Sequence, residues 1–85
     1  MNNQLDIKLS TVEAIIKRFA PKQKTQQVIT RETRLAEDLE IDSPRMIDIV
    51  LEVEDRFQIS LEDVDAQNTA TVGDLLDLIE RRAAN

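Results

Sequence analysis

Cysteine and histidine are both absent from the 85-residue chain. Without cysteine there is no disulfide framework, zinc–thiolate cluster or thiol nucleophile. Without histidine the commonest general base and transition-metal ligand is gone. Serine–histidine and cysteine–histidine machinery is therefore excluded, no metal site is expected, and a self-contained enzyme becomes hard to build. Tryptophan and tyrosine are missing too, and an aromatic content of 2% offers no platform for stacking bases. One glycine (Gly73) and two prolines (Pro21, Pro44) are too few for a sandwich or barrel full of tight turns. No apolar run approaches a membrane span, and Met1-Asn2-Asn3-Gln4-Leu5-Asp6 lacks the charged and apolar regions of a signal peptide. A soluble, cytoplasmic protein is the expectation.

What charge there is leans one way. Acids outnumber bases 17 to 11, for a formal net charge of −6. Such a chain repels phosphate backbones and anionic lipid, so neither nucleic acid nor membrane is expected as a partner. It favours partners with basic docking patches, because complementary potentials speed encounter. The length sets one domain, residues 1–85, with one modest core.

Apolar residues recur at helical spacing. Leu9, Val12, Ile15, Ile16 and Phe19 share one face of a first helix, which Ser10-Thr11-Val12-Glu13 would start as a capping box and Pro21 would end. A long connection to about Asp42 follows, with Val28, Ile29, Leu35, Leu39 and Ile41 as apolar anchors and Thr33 placed to cap a short helical turn over 35–39. The clearest helix runs from Pro44 to about Phe57, with Ser43 as N-cap and Pro44 at the first helical position. Met46, Val50, Val53 and Phe57 form its stripe, widened by Ile47, Ile49 and Leu51; Asp48, Glu52, Glu54 and Asp55 make it acidic. Ile59 to Val64 allows a short third turn, with Ile59, Leu61 and Val64 available to the core. Thr71-Val72-Gly73-Asp74 caps a last helix with Val72, Leu75, Leu76 and Ile79 inward and Arg81 and Arg82 at its end. The fold class is all-α: three main helices plus one short one, with a long structured loop between the first and second.

Asp42-Ser43-Pro44, at the head of the acidic helix, is the tripeptide that carries chemistry. A helix N-terminus presents unpaired N–H groups and partial positive charge, so a phosphate attached there is stabilised. A neighbouring carboxylate can help hold the metal that escorts an incoming phosphate. Taken alone, Ser43-Pro44 is equally a plain helix start.

The wider pattern resembles the acyl carrier protein family. Glu37-Asp38-Leu39-Glu40-Ile41-Asp42-Ser43 is similar to that family's signature, acidic-Asp-Leu-Gly-x-Asp-Ser-Leu. Ile47 to Phe57 resembles its second helix, and Phe57-Gln58-Ile59-Ser60-Leu61 and Thr71-Val72-Gly73-Asp74-Leu75 resemble the segments that open its third and fourth. The resemblance covers nearly the whole chain. It implies a bundle that acts as a carrier and not as an enzyme, with 4'-phosphopantetheine derived from coenzyme A attached covalently to Ser43 by a phosphopantetheinyl transferase, Asp42 being the adjacent acidic partner. Acyl groups would travel as thioesters on that arm, in fatty-acid, lipid or polyketide metabolism. The same resemblance implies a bundle that opens around an acyl chain. Pro44, Arg45, Ile47, Asp48, Leu51, Glu54 and Asp55 would form the surface that meets acyl-transferring enzymes, and a monomer is expected.

Departures from the pattern are specific. Glu40 replaces the signature glycine, Pro44 replaces leucine after the serine, and Arg45 places positive charge in the first helical turn. These imply a carrier dedicated to a specialised pathway. The alternatives are an aminoacyl or peptidyl carrier, or an interaction domain with this fold and no prosthetic group. Asp63-Val64-Asp65-Ala66-Gln67-Asn68 begins like a calcium loop but lacks its glycine and its terminal glutamate.

Overall fold

The structure, a computed structural model, describes residues 4–84, with side chains over 9–83. Four α-helices follow in order: α1, Gln4–Phe19; α2, Ser43–Phe57; α3, Asp63–Gln67; and α4, Val72–Ala84, with a 3-10 turn at Lys22–Lys24. The all-α architecture and the long structured connection agree with the sequence reading.

The core is where the helical stripes meet. Val12, Ile15 and Ile16 of α1, Ile49 and Val53 of α2, and Val72, Leu75 and Ile79 of α4 are fully buried. Each such side chain is worth about 1.5–3 kcal/mol over an exposed one. Leu9, Phe19, Met46 and Phe57 pack on the rim of this cluster. An ion pair between Arg18 and Glu52 at 3.2 Å joins α1 to α2 outside it.

The long connection is held at two levels. Ile29, Leu35, Leu39 and Ile41 are buried in the same core. Its backbone also pairs with the start of α4: Leu35 N–H donates to Ala70 O, Val72 N–H to Thr33 O and Gly73 N–H to Arg31 O, each at 2.9 Å. Arg34 and Thr71 thus form an isolated antiparallel bridge. The chain's one glycine lies here for a reason of space, since a Cβ at Gly73 would sit 3.0 Å from the Arg31 carbonyl oxygen.

Several local expectations are corrected. The first helix begins at Gln4, well before Ser10. A capping pattern inside an existing helix does not stop it, because extending a formed helix is far easier than nucleating one. Val28 is 83% exposed and anchors nothing; its neighbour Ile29 turns inward instead. The Thr33 hydroxyl accepts from Thr30 N–H at 2.8 Å rather than capping the turn after it. That turn is fixed by Asp38, whose carboxylate accepts from Arg34 N–H at 2.8 Å and from the Arg34 guanidinium at 3.1 Å. The short helix α3 lies later than Ile59–Val64, because Glu62 N–H donates to the Asp65 carboxylate at 3.1 Å and so sets its start. Val64 consequently faces solvent, while Ile59 and Leu61 are half-buried.

Candidate functional site

The approach to Ser43 is fixed by alternation. Leu39 and Ile41 are buried on either side of an exposed Glu40, and Ile41 N–H donates to Leu35 O at 3.0 Å. Turning the chain between two inward residues puts Glu40 at φ 54°, in the left-handed region. Only glycine adopts that region without steric cost, so Glu40 holds a conformation that would suit the glycine of the signature. Its carboxylate pairs with Lys24 at 3.3 Å.

The cap of α2 falls one residue earlier than expected. Asp42, not Ser43, is the N-cap: its carboxylate accepts from Arg45 N–H at 3.0 Å, and Met46 N–H bonds Asp42 O at 2.8 Å. A carboxylate competes well for that role because it also meets the positive end of the helix dipole. Ser43 becomes the first helical residue and Pro44 the second. The consequence for chemistry is direct. As a cap, the Ser43 hydroxyl would have been tied to the backbone; here it is exposed and bonds no described residue.

The same geometry revises the phosphate argument. Pro44 has no N–H, and the Arg45 N–H is already taken by Asp42. The first turn of α2 therefore offers few free donors to a phosphate. A group on Ser43 would be tethered at the helix end but not clasped by it, which suits a mobile arm.

Ser43 stands at the mouth of a groove of about 460 Å³ between α2 and α3. Met46, Val50, Leu51, Leu61 and Ala66 give it an apolar lining, and Glu54 lies at its side. On the opposite flank Ser43 borders a smaller hollow of about 300 Å³, against Leu35, Ile41 and Ala70. The sequence reading assigned Met46 and Val50 to the core alone. They are half-buried and face the groove as well, and the apolar stripe of α2, wider than one core face needs, was the available signal.

Most of the residues expected to meet partners form one exposed surface. Pro44, Arg45, Ile47, Asp48, Leu51 and Asp55 are exposed, Ile47 and Leu51 at 59% and 58% despite their apolar side chains. Two residues carry additional ties. Glu54 is half-buried and accepts from Leu61 N–H at 2.7 Å, so one of its oxygens holds the chain between α2 and α3. The Arg45 guanidinium lies 3.7 Å from Asp42, so its charge in the first turn is partly balanced. The segment Asp63–Gln67 is helical, and the Asp65 carboxylate is engaged by Glu62 N–H and by Arg82. Among the described residues, no helix is long and apolar enough to cross a membrane.

Residues 10–79 match the model of the phosphopantetheine attachment site family. An acyl carrier protein of Exiguobacterium sibiricum is 40% identical over 57 residues, covering 67% of this chain and 72% of the relative. One from Buchnera aphidicola is 31% identical over 75 residues, covering 86% of this chain and 96% of the relative. Among solved structures, a Mycobacterium tuberculosis chain assigned to the acyl carrier proteins superposes with a TM-score of 0.77 at 32% identity, covering 87% of this chain and 96% of that one.

Proposed function

We propose that Ser43 bears the prosthetic arm in this chain, which belongs to the phosphopantetheine attachment site family of acyl carrier proteins. The arm supplies a thiol at the end of a flexible tether, on which acyl groups ride as thioesters. The observation that carries the assignment to Ser43 is the division of labour at the head of α2. Asp42 takes the capping role, leaving the Ser43 hydroxyl exposed and free to react.

In the loading step the Ser43 hydroxyl oxygen forms a bond to phosphorus of the coenzyme A diphosphate, the nucleotide half leaves with the bridging oxygen, and the hydroxyl proton passes to the transferase. This role is supported by the buried pair Leu39 and Ile41, which turn the backbone at Glu40 ahead of the exposed Asp42 and Ser43. The chain performs no catalysis of its own. Its exposed α2 surface, apolar at Ile47 and Leu51 and acidic at Asp48 and Asp55, presents the cargo to acyl-handling enzymes with basic patches. The apolar lining of the α2–α3 groove supports an acyl cargo over an aminoacyl one. Pro44 and Arg45, both exposed beside Ser43, support service to a dedicated pathway rather than a general one. The carrier works as a cytoplasmic monomer.

The test is intact mass after incubation with coenzyme A, magnesium and a broad-specificity phosphopantetheinyl transferase, for the native chain and for Ser43→Ala. The expected result is one phosphopantetheine gained by the native chain and none by the variant, with unchanged melting because the hydroxyl bonds no described residue. Modification that persists in Ser43→Ala refutes the assignment. Failure of the native chain across several active transferases favours an interaction domain without a prosthetic group.

A further inference from the structure

Helix α3 forms one wall of the groove that opens at Ser43, through Asp63, Ala66 and Gln67. Little holds that wall in place. It is five residues long and none of them is buried in the core. Leu61 N–H, just before it, is tied to Glu54 of α2. Toward α4, its one side-chain link among the described residues is the Arg82 guanidinium on the Asp65 carboxylate at 2.7 Å, with the Asp65 side chain only 14% exposed.

We infer that the Arg82–Asp65 pair is a releasable latch that sets the position of α3 and hence the width of the groove. Three observations carry this. The same carboxylate oxygen that Arg82 grips also accepts from Glu62 N–H, so the pair joins the start of α3 to α4 at a single atom. The grip is one-pronged: Arg82 Nε is buried and bonds no described residue, where a side-on, two-pronged guanidinium–carboxylate pair would engage it. At 2.7 Å the pair is shorter than Lys17–Glu13 at 3.3 Å and Arg31–Asp77 at 2.9 Å, and its carboxylate is the more sheltered. The Arg82 side chain stays 38% exposed, so water can reach the pair and α3 is free to swing once it is broken. The sequence showed Arg82 only as a cation suited to a helix end; the latch exists because α4 carries it beside a helix that starts at Asp63.

The consequence for cargo rests on the Ser43 reading, but the latch is tested on the unmodified chain and stands or falls without it. Amide hydrogen exchange is measured for the native chain, Arg82→Gln and Arg82→Lys. The reporters are the N–H groups of Ala66, Asn68 and Thr69, which close the two ends of α3 by bonding to the carbonyls of Glu62, Val64 and Ala66. Loss of a charge-assisted link predicts at least about fivefold faster exchange at these three in Arg82→Gln. Core amides of α1 and α4, such as Ile16 and Leu75, should stay within about twofold of native, because a local opening leaves the global stability in charge of the core. Arg82→Lys, which keeps the charge and loses the fork, should fall between. If Arg82→Gln does not fold, Arg82→Lys against the native chain decides by the same local pattern. Exchange that rises equally in α3 and the core, or does not rise at all, overturns the latch.

Discussion

Position 40 offers a sharp test of how this chain preserves a glycine geometry without glycine. Glu40 sits at φ 54° between buried Leu39 and Ile41, and neither neighbour can turn outward without emptying the core. Left-handed backbone costs an L-residue about 1–2 kcal/mol. Replacing Glu40 by glycine removes that strain but also removes the Lys24 pair, worth about 0–1 kcal/mol at an exposed site. The informative comparison is therefore Glu40→Gly against Glu40→Ala, since both lose the pair equally. At an unstrained position alanine is the more stable of the two by about 0.4–1 kcal/mol, because glycine loses more freedom on folding. Here the strain should reverse the order, leaving glycine ahead by about 0.5–1 kcal/mol once the two effects are subtracted. For a domain of this size that is a difference in melting temperature of about 2–8 °C. Thermal melts followed by circular dichroism, with urea unfolding as a second axis, measure it. An alanine variant as stable as the glycine variant, or more so, refutes the claim that the fold imposes strain at residue 40.

Two further outcomes follow from the same region and from the carboxylates that hold the loops. Asp42→Ala should destabilise the chain by about 1 kcal/mol through loss of the α2 cap, while Asp42→Asn should keep most of it. If asparagine falls as far as alanine in a urea titration, the charge facing Arg45, and not the cap, is what Asp42 contributes. Acid should unfold the chain through a small set of groups. The Arg34 guanidinium and N–H hold the Asp38 carboxyl below its ordinary range, Glu62 N–H and Arg82 do so for Asp65, and the N–H groups of Ala70 and Thr71 do so for Asp74. Groups depressed on folding contribute stability that is complete above the unfolded value, near pH 4, and is lost as pH falls through the lower folded values. Melting temperature should thus hold between pH 7 and 5, where relief of the −6 net charge works in its favour, and drop below about pH 4. Asp65→Asn should make that acid limb shallower; a native chain already losing stability between pH 7 and 5 contradicts the reasoning.

Much of the fold was legible because helical periodicity is local. The inward stripes of α1 and α4 were readable as residues that recur every three or four positions, and so was the Thr71–Asp74 box, in which Thr71 Oγ accepts from Asp74 N–H and Asp74 accepts from Thr71 N–H, each at 3.1 Å. The resemblance of 37–43 to a carrier signature pointed to Ser43 without any coordinates. Other features depend on what lies across the molecule. Which residue caps α2 was a contest between two adjacent side chains, settled when burial of Ile41 fixed the backbone that leads into Asp42. The order of the long connection comes from Leu35 and Val72 bonding across 35 or more residues to partners no local pattern names, Ala70 and Thr33. Glu54 reads as one more acid on a solvated face until the chain after α2 folds back and donates Leu61 N–H to it. Arg82 reads as a helix-end cation until α4 sets it against Asp65. Sequence alone determined the apolar stripes of the three main helices, most of the core and Ser43's place at a helix start, because spacing and residue type suffice for those. Tertiary structure decided which polar groups are spent inside the fold and which stay free, because hydrogen-bond partners distant in sequence are chosen only once the core has brought them together.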